Sequence, residues 1–296
     1  MAGMMMLGSA GQHLLQPVTS SISIALSSHE NRGRRMGQVG SIETLCVVIG
    51  TGSVWLFLDK ASPQYRFCFA VSAGLALVAA AFYFVLNVPK LEQKRSRMVL
   101  RKKFWLYYML EFLFGARKQI FITFGPWVLI KVYGAPATDI AGLLMLGAGI
   151  GIFFKPMIGA AIDHFGERRV LIVDGFLVAV VCLGYGYAMA ITGDKHTALW
   201  LASGCLVADN LLFATGTGRA IYLSRLTHDP QEITSTLAMG ISINHIVSMT
   251  IPILAGTIWE RFGYEKLFLS ACFLAIAIGF LATRVPGKNA VQVRAS

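Results

Sequence analysis

The chain has 296 residues, 55% of them apolar and only 14% charged, and its mean hydropathy is +0.63. A soluble domain carries about 25% charged residues, so this composition excludes a water-soluble globule and makes lipid the solvent for much of the surface. The net charge of +11 does not point to nucleic acid, because the basic residues lie in short loops between apolar runs rather than on a soluble face with accessible aromatics.

A membrane helix needs about 20 mostly apolar residues. The first candidate, 3–27, is Ser-rich and interrupted by His13, Gln16 and Pro17. It has no basic n-region, so it reads as a membrane helix and not as a signal peptide. Eight stronger spans follow at 40–58, 66–88, 104–132, 138–157, 169–191, 198–223, 233–258 and 264–283. Their length argues against strands, which usually run 4–8 residues. The basic run KLEQKRSRMVLRKK at 90–103 separates three spans from six. It reads as a topology-setting linker, with acidic lipid headgroups as the alternative partner. Cys46, Cys68, Cys182, Cys205 and Cys272 all sit in apolar runs without CxxC spacing, as small buried hydrophobes do. No metal and no cofactor is expected.

Charge asymmetry orients the chain. Loops at 28–39, 89–103, 163–169 and 224–232, with the tail from 284, hold sixteen of the 26 Lys and Arg, against six in the opposite loops. The expectation is a multi-pass protein of the plasma (inner) membrane with a cytoplasmic C-terminus.

One loop carries a pattern: Gly159-Ala-Ala-Ile-Asp163-His164-Phe165-Gly166-Glu167-Arg168-Arg169. Gly159 permits close helix approach and Gly166 a tight turn; Asp163 is placed to cap the next helix or to pair with an arginine; Arg168 and Arg169 anchor the loop on the cytoplasmic side. A second copy, Gly256-Thr-Ile-Trp-Glu260-Arg261-Phe262-Gly263, begins 97 residues later. Three spans separate the copies, so they lie on opposite sides of the membrane, the mark of an inverted repeat.

The first copy resembles the cytoplasmic loop signature of the major facilitator superfamily, with His164 where a base is usual and Glu167 inserted before the arginines. The resemblance implies an all-α membrane bundle of about nine transmembrane helices. Residues 1–88 correspond to helices four to six, 89–103 to the central linker, 104–284 to a complete six-helix C-terminal half, and 285–296 to a cytoplasmic tail. The segment His29–Gly37 is similar to the basic loop after helix four, and helices one to three have no counterpart.

Charges at membrane depth are costly and suggest function. The span from 104 carries Glu111, Arg117 and Lys118; the span from 198 carries Asp209, Asn210 and Arg219; the span from 233 carries Asn244 and His245. At about 1.5 Å per residue, Glu111 and Arg219 lie roughly 10 and 6 Å from the cytoplasmic end, and Arg117, Lys118 and Asp209 about 20 Å. Matched depth suits either a cavity-lining network or ion pairs that only fix packing. The adjacent cations Arg117 and Lys118 suit an anionic solute such as a carboxylate or phosphate compound, and Asp209 or His245 suits a proton relay. No HExxH, GxSxG, P-loop or GxGxxG occurs, so no enzyme is expected. The functional expectation is secondary transport of a small solute. The alternative is a non-transporting membrane scaffold or assembly factor on the same fold, or an inactive fragment. The expected partners are the solute and the lipid bilayer; nothing fixes an oligomeric state.

Overall fold

The computed structural model describes residues 2–28, 30–57, 65–85, 100–227 and 229–287. Most of the basic segment 90–103, the end of the tail and His29 lie outside them. Every regular element among the described residues is helical: α1 (Ala2–Ala25), α2 (Arg32–Phe57), α3 (Tyr65–Val85), α4 (Trp105–Val128), α5 (Ala137–Phe165), α6 (Glu167–Gly186), α7 (Ala188–Thr192), α8 (Lys195–Leu212), α9 (Thr217–Leu226), α10 (Pro230–Phe262) and α11 (Tyr264–Ala282). Backbone amides in hydrocarbon have no water to bond, and a helix satisfies them internally. Among the described residues six stretches are long and apolar enough to cross a membrane: α3, α5, α6, α8 with α9, α10 and α11. α1, α2 and α4 have 24, 26 and 24 residues and so the necessary length; α4 carries Glu111, Arg117 and Lys118 within its span.

Three expectations about the elements are corrected. Residues 32–39, read as loop, are the first turns of α2. The Gly33 and Arg34 amides are received by Asp163, a partner far away in sequence. The span 198–223 is not one helix: α8 ends at Leu212, a 3₁₀ turn runs over Phe213–Gly216, and α9 continues. The span 169–191 breaks at Tyr187, ahead of the short α7. α4 also runs on into a π-helical turn, Leu129–Tyr133, which ends on left-handed Gly134.

α4 is the axis of the packed region. Its first half lies with Tyr222, Leu223, Ile233, Leu237 and Ile278 around Phe104, Tyr107 and Leu110. Its second half lies in a cluster with α6, α8 and α11, where Phe121, Tyr185 and Phe268 meet with ring centroids 4.6–5.5 Å apart. The Tyr185 hydroxyl donates to the Gly125 carbonyl, so this buried phenol is satisfied. α2 packs along α5, and α6 along α11. α3 lies outside the packed region: residues 66–85 are exposed apart from Cys68, and Tyr83 meets Thr19 of α1, hydroxyl to hydroxyl, at 3.4 Å. At the N-terminus of α8, outside the span, Asp194 accepts from Thr197 N–H at 2.9 Å, and this bond holds its carboxyl below the usual carboxylate range.

The two Gly-containing loops have the same backbone. Gly166 (φ 86°, ψ 152°) and Gly263 (φ 86°, ψ 167°) each close one helix and open the next as a single residue. Each glycine N–H bonds back to the fourth preceding carbonyl, Ile162 at 2.9 Å and Trp259 at 3.0 Å. This region is essentially reserved for glycine. Gly166→Ala and Gly263→Ala are therefore each expected to cost about 1–3 kcal/mol, read as a lowered unfolding temperature in detergent. Gly256→Ala, where a Cβ meets nothing within 4 Å, is the control and stays near wild type.

Candidate functional site

α4 presents alternating charges to the two halves of the broken helix. Glu111 is 8% exposed and Arg117 1% exposed. Arg117 forms an ion pair with Asp209 of α8, itself 2% exposed. Arg219 Nε of α9 donates to Glu111 Oε1 at 2.8 Å. One pair thus holds each side of the 3₁₀ turn against α4. α10 completes the group: Asn244 Nδ2 lies 3.3 Å from Glu111 Oε2, and Lys118 Nζ donates to Asn244 Oδ1 at 2.9 Å. Phe114 sits at the centre, with the Arg219, Arg117 and Lys118 head groups 3.6, 5.4 and 5.9 Å from its ring centroid. Cations over a ring face gain from its quadrupole, the more so when desolvated.

The network is rich in donors. Arg117 Nε and Nη2 and Arg219 Nη1 are buried without a hydrogen-bond partner. Glu111 and Asp209 are paired with the two guanidiniums, and the buried Asp174 of α6 stands within electrostatic reach of both, while Lys118 rests on a neutral amide. Adjacent in sequence, Arg117 and Lys118 differ in place: the guanidinium is enclosed, the ammonium half-buried. His245, next to Asn244 on α10, is half-buried. Asn210 lies beside Gly147 of α5 rather than within the group around Phe114. The described residues contain no cluster of three or more His, Cys, Asp or Glu placed to hold a metal ion.

A second constellation lies at the end of α5. Asp163 Oδ1 and Oδ2 accept from the backbone N–H groups of Gly33 and Arg34, each at 2.7 Å. A carboxylate on exposed amides at a helix N-terminus is favoured by hydrogen bonding and by the helix dipole. Asp163 does cap a helix, but α2 rather than the next helix. Gly33 and Gly159 pack backbone to backbone beside it, leaving no room for a Cβ on either. Lys155 continues the seam, donating to Gly40 O at 3.0 Å and to the Thr44 hydroxyl. Nearby, Arg32 Nη1 donates to Ser224 Oγ at 3.1 Å, and Arg225 pairs with Glu167 at 3.1 Å. Beyond residue 44, Leu45, Val47 and Ile49 of α2 are exposed. Arg168 and Arg169 are exposed at the turn. Among the described residues the second loop copy makes no such contact: Glu260 and Arg261 are exposed, and a Cβ at Gly256 would meet open space.

The Major Facilitator Superfamily model matches residues 1–230. The chain belongs to the major facilitator superfamily. Its membership fits an all-α multi-pass bundle in which intramembrane charges face helices rather than lipid. The MFS-type transporter ppzB of Metarhizium majus (strain ARSEF 297) is 24% identical over 182 residues, which make up 56% of this chain and 36% of that protein. The match therefore spans little more than a third of that transporter's length. α10 after its first residue, including Asn244, and α11 lie beyond the 230 residues matched to the superfamily.

Nothing in the sequence pattern singles out Phe114, Ser224 or the α2 N-terminus as parts of these constellations. Phe114 is an ordinary apolar helix residue until three cations surround it.

Breaking a buried pair by removing one partner leaves a charge uncompensated, at about 3–5 kcal/mol, whereas replacing both partners by apolar residues is often neutral. Arg117→Met is accordingly expected to lower the unfolding temperature sharply. Arg117→Met with Asp209→Leu is expected to recover most of the loss, an interaction that a double-mutant cycle on the purified protein measures directly.

Proposed function

We propose that this chain supplies helices of a secondary transporter that moves a small anionic solute across a membrane by alternating access. The observation that carries this reading is the surplus of donors around Phe114. Two guanidiniums leave buried N–H groups unpaired, and Lys118 brings a third positive head group without a carboxylate of its own. A carboxylate or phosphate is the chemistry that satisfies such donors. In this reading Lys118 contacts the solute, while Arg117–Asp209 and Arg219–Glu111 hold the frame. Asp209 and His245 are the candidates for proton coupling. The membrane is the plasma (inner) membrane, with the end of the chain cytoplasmic.

The α2–α5 seam supports the alternating-access part. Its bonds join residues 33–44 to the Asp163 half of α5, while Leu45, Val47 and Ile49 further along α2 stand exposed. We read residues 1–88 and 104–284 as parts of two halves closed at the cytoplasmic end, with the basic segment between them as linker. Asp163 on the α2 dipole is then a latch whose release opens that end.

Two measurements test this. In vesicles reconstituted with the protein, Lys118→Gln should lower the initial rate of organic-anion uptake about tenfold or more, the loss of one charge-assisted bond, with little change in unfolding temperature. Unchanged uptake sinks the anion assignment. Absence of flux for every solute by wild type, with and without a pH gradient, favours a scaffold instead. Separately, spin labels at positions 35 and 168 report the seam. Asp163→Ala should shift their distance distribution toward the longer component, by the roughly 1 kcal/mol a cap contributes; an unaltered distribution removes Asp163 from the latch.

A further inference from the structure

Pro156 interrupts α5 inside its membrane-spanning stretch. Proline has no N–H, so the carbonyl four residues earlier, Ile152 O, loses its intrahelical donor. Ser41 of α2 supplies a replacement: its hydroxyl donates to Ile152 O. A carbonyl freed at membrane depth is tolerated where a neighbouring helix bonds it in this way. Beside the proline, Lys155 carries an ammonium on a backbone position about 16 Å from the Gly166 turn along the axis. Among the described residues none of the ion pairs includes Lys155. Its Nζ donates to Gly40 O at 3.0 Å and to the Thr44 hydroxyl, both neutral groups of α2. Glu43, exposed on the same helix, stands within electrostatic reach of it.

The cross-helix partners of Ile152 O and Lys155 Nζ thus come from one turn of α2. Gly40 and Ser41 are neighbours in sequence, so the two α5 groups they meet lie within reach of one small molecule. The closed seam has no space for such a molecule, because even a Cβ at Gly37 would stand 2.5 Å from Lys155 O. Parting of the seam takes all of these partners away at once, Glu43 included. It leaves on α5 a bare cation and a bare acceptor, each costly without a partner. α2 therefore shows what a replacement must carry: acceptor oxygens for the ammonium and a hydroxyl donor for the carbonyl.

We infer that Lys155 and Ile152 form a second solute site, covered by α2 while the seam is closed, for a small anion that carries a hydroxyl group, of the hydroxycarboxylate class. The carboxylate takes the ammonium that Gly40 and Thr44 release, and the hydroxyl takes the carbonyl that Ser41 releases. The site rests on the proposed parting of the seam, and it adds a contact residue and a substrate class to that reading. Closure and occupancy exclude each other, since the same two α5 atoms serve both. A bound solute therefore holds the seam open, and closure expels it.

The test uses the spin labels at positions 35 and 168 on the full chain in nanodiscs, titrated with glycolate and with acetate at constant ionic strength. The two anions differ by one hydroxyl. On wild type both should shift the distances toward the longer component, glycolate at a half-saturating concentration about three- to tenfold lower, the equivalent of one hydrogen bond. Pro156→Ala restores the N–H that Ile152 O lacks, so the two anions should become equal while the response persists. Lys155→Gln should raise both half-saturating concentrations about tenfold or more, as for a lost charge-assisted bond. Equal potency of the two anions on wild type, no response to either, a glycolate preference that survives in Pro156→Ala, or an undiminished response in Lys155→Gln would each overturn the site. A response lost in Lys118→Gln but intact in Lys155→Gln overturns this site and leaves the anion reading around Phe114 standing; the reverse pattern supports this site whatever uptake shows for Lys118. The central comparison is between two anions on wild type, so it holds even where a variant fails to fold.

Discussion

Everything at the centre of this bundle depends on matching charge to charge in a medium that solvates neither. Glu111 and Arg117 are six residues apart on α4, about 9 Å along its axis; Asp209 and Arg219 are ten apart across α8 and α9, about 15 Å or more. Both pairs nevertheless form. The difference is taken up by two long guanidinium side chains, and the 3₁₀ turn between the partners sets how α9 is placed relative to α8. Lysine lacks the planar fork that reaches and bonds at once, and Lys118 is accordingly held outside the two pairs.

The helical class and the family were legible in the sequence, because long apolar runs and a Gly-acid-Gly loop are local signals. Depth along the helix axis placed Glu111 near Arg219 and Arg117 near Asp209, and the structure pairs those residues. It could not distinguish Arg117 from Lys118, since neighbours at one depth differ only in azimuth, and azimuth depends on which helices pack where. The break at Phe213–Gly216 was hidden because it contains no proline; its only trace is the pair Gly216 and Gly218. The early start of α2 was hidden for another reason. Arg32-Gly33-Arg34-Arg35 reads as a basic loop, and a residue about 130 positions away supplies its cap.

The two Gly loops separate what a turn needs from what a contact needs. Gly166 and Gly263 share one backbone geometry, so both copies retain the residue that no side chain could replace. Asp163 is anchored on α2, whereas Glu260 at the matching position is exposed. The glycine is dictated by dihedral angles wherever the turn occurs. The acidic residue becomes consequential only where another helix presents its N-terminus.

The Gly33–Gly159 contact sets a scale for motion at the seam. Backbone meets backbone there, with no side chain to flex or change rotamer. Compression cannot be absorbed locally, so separation of α2 from α5 must proceed as movement of whole rods. A joint made this way is closed or parted, with little in between. One methyl group inserted at either glycine would act as a wedge between the two rods.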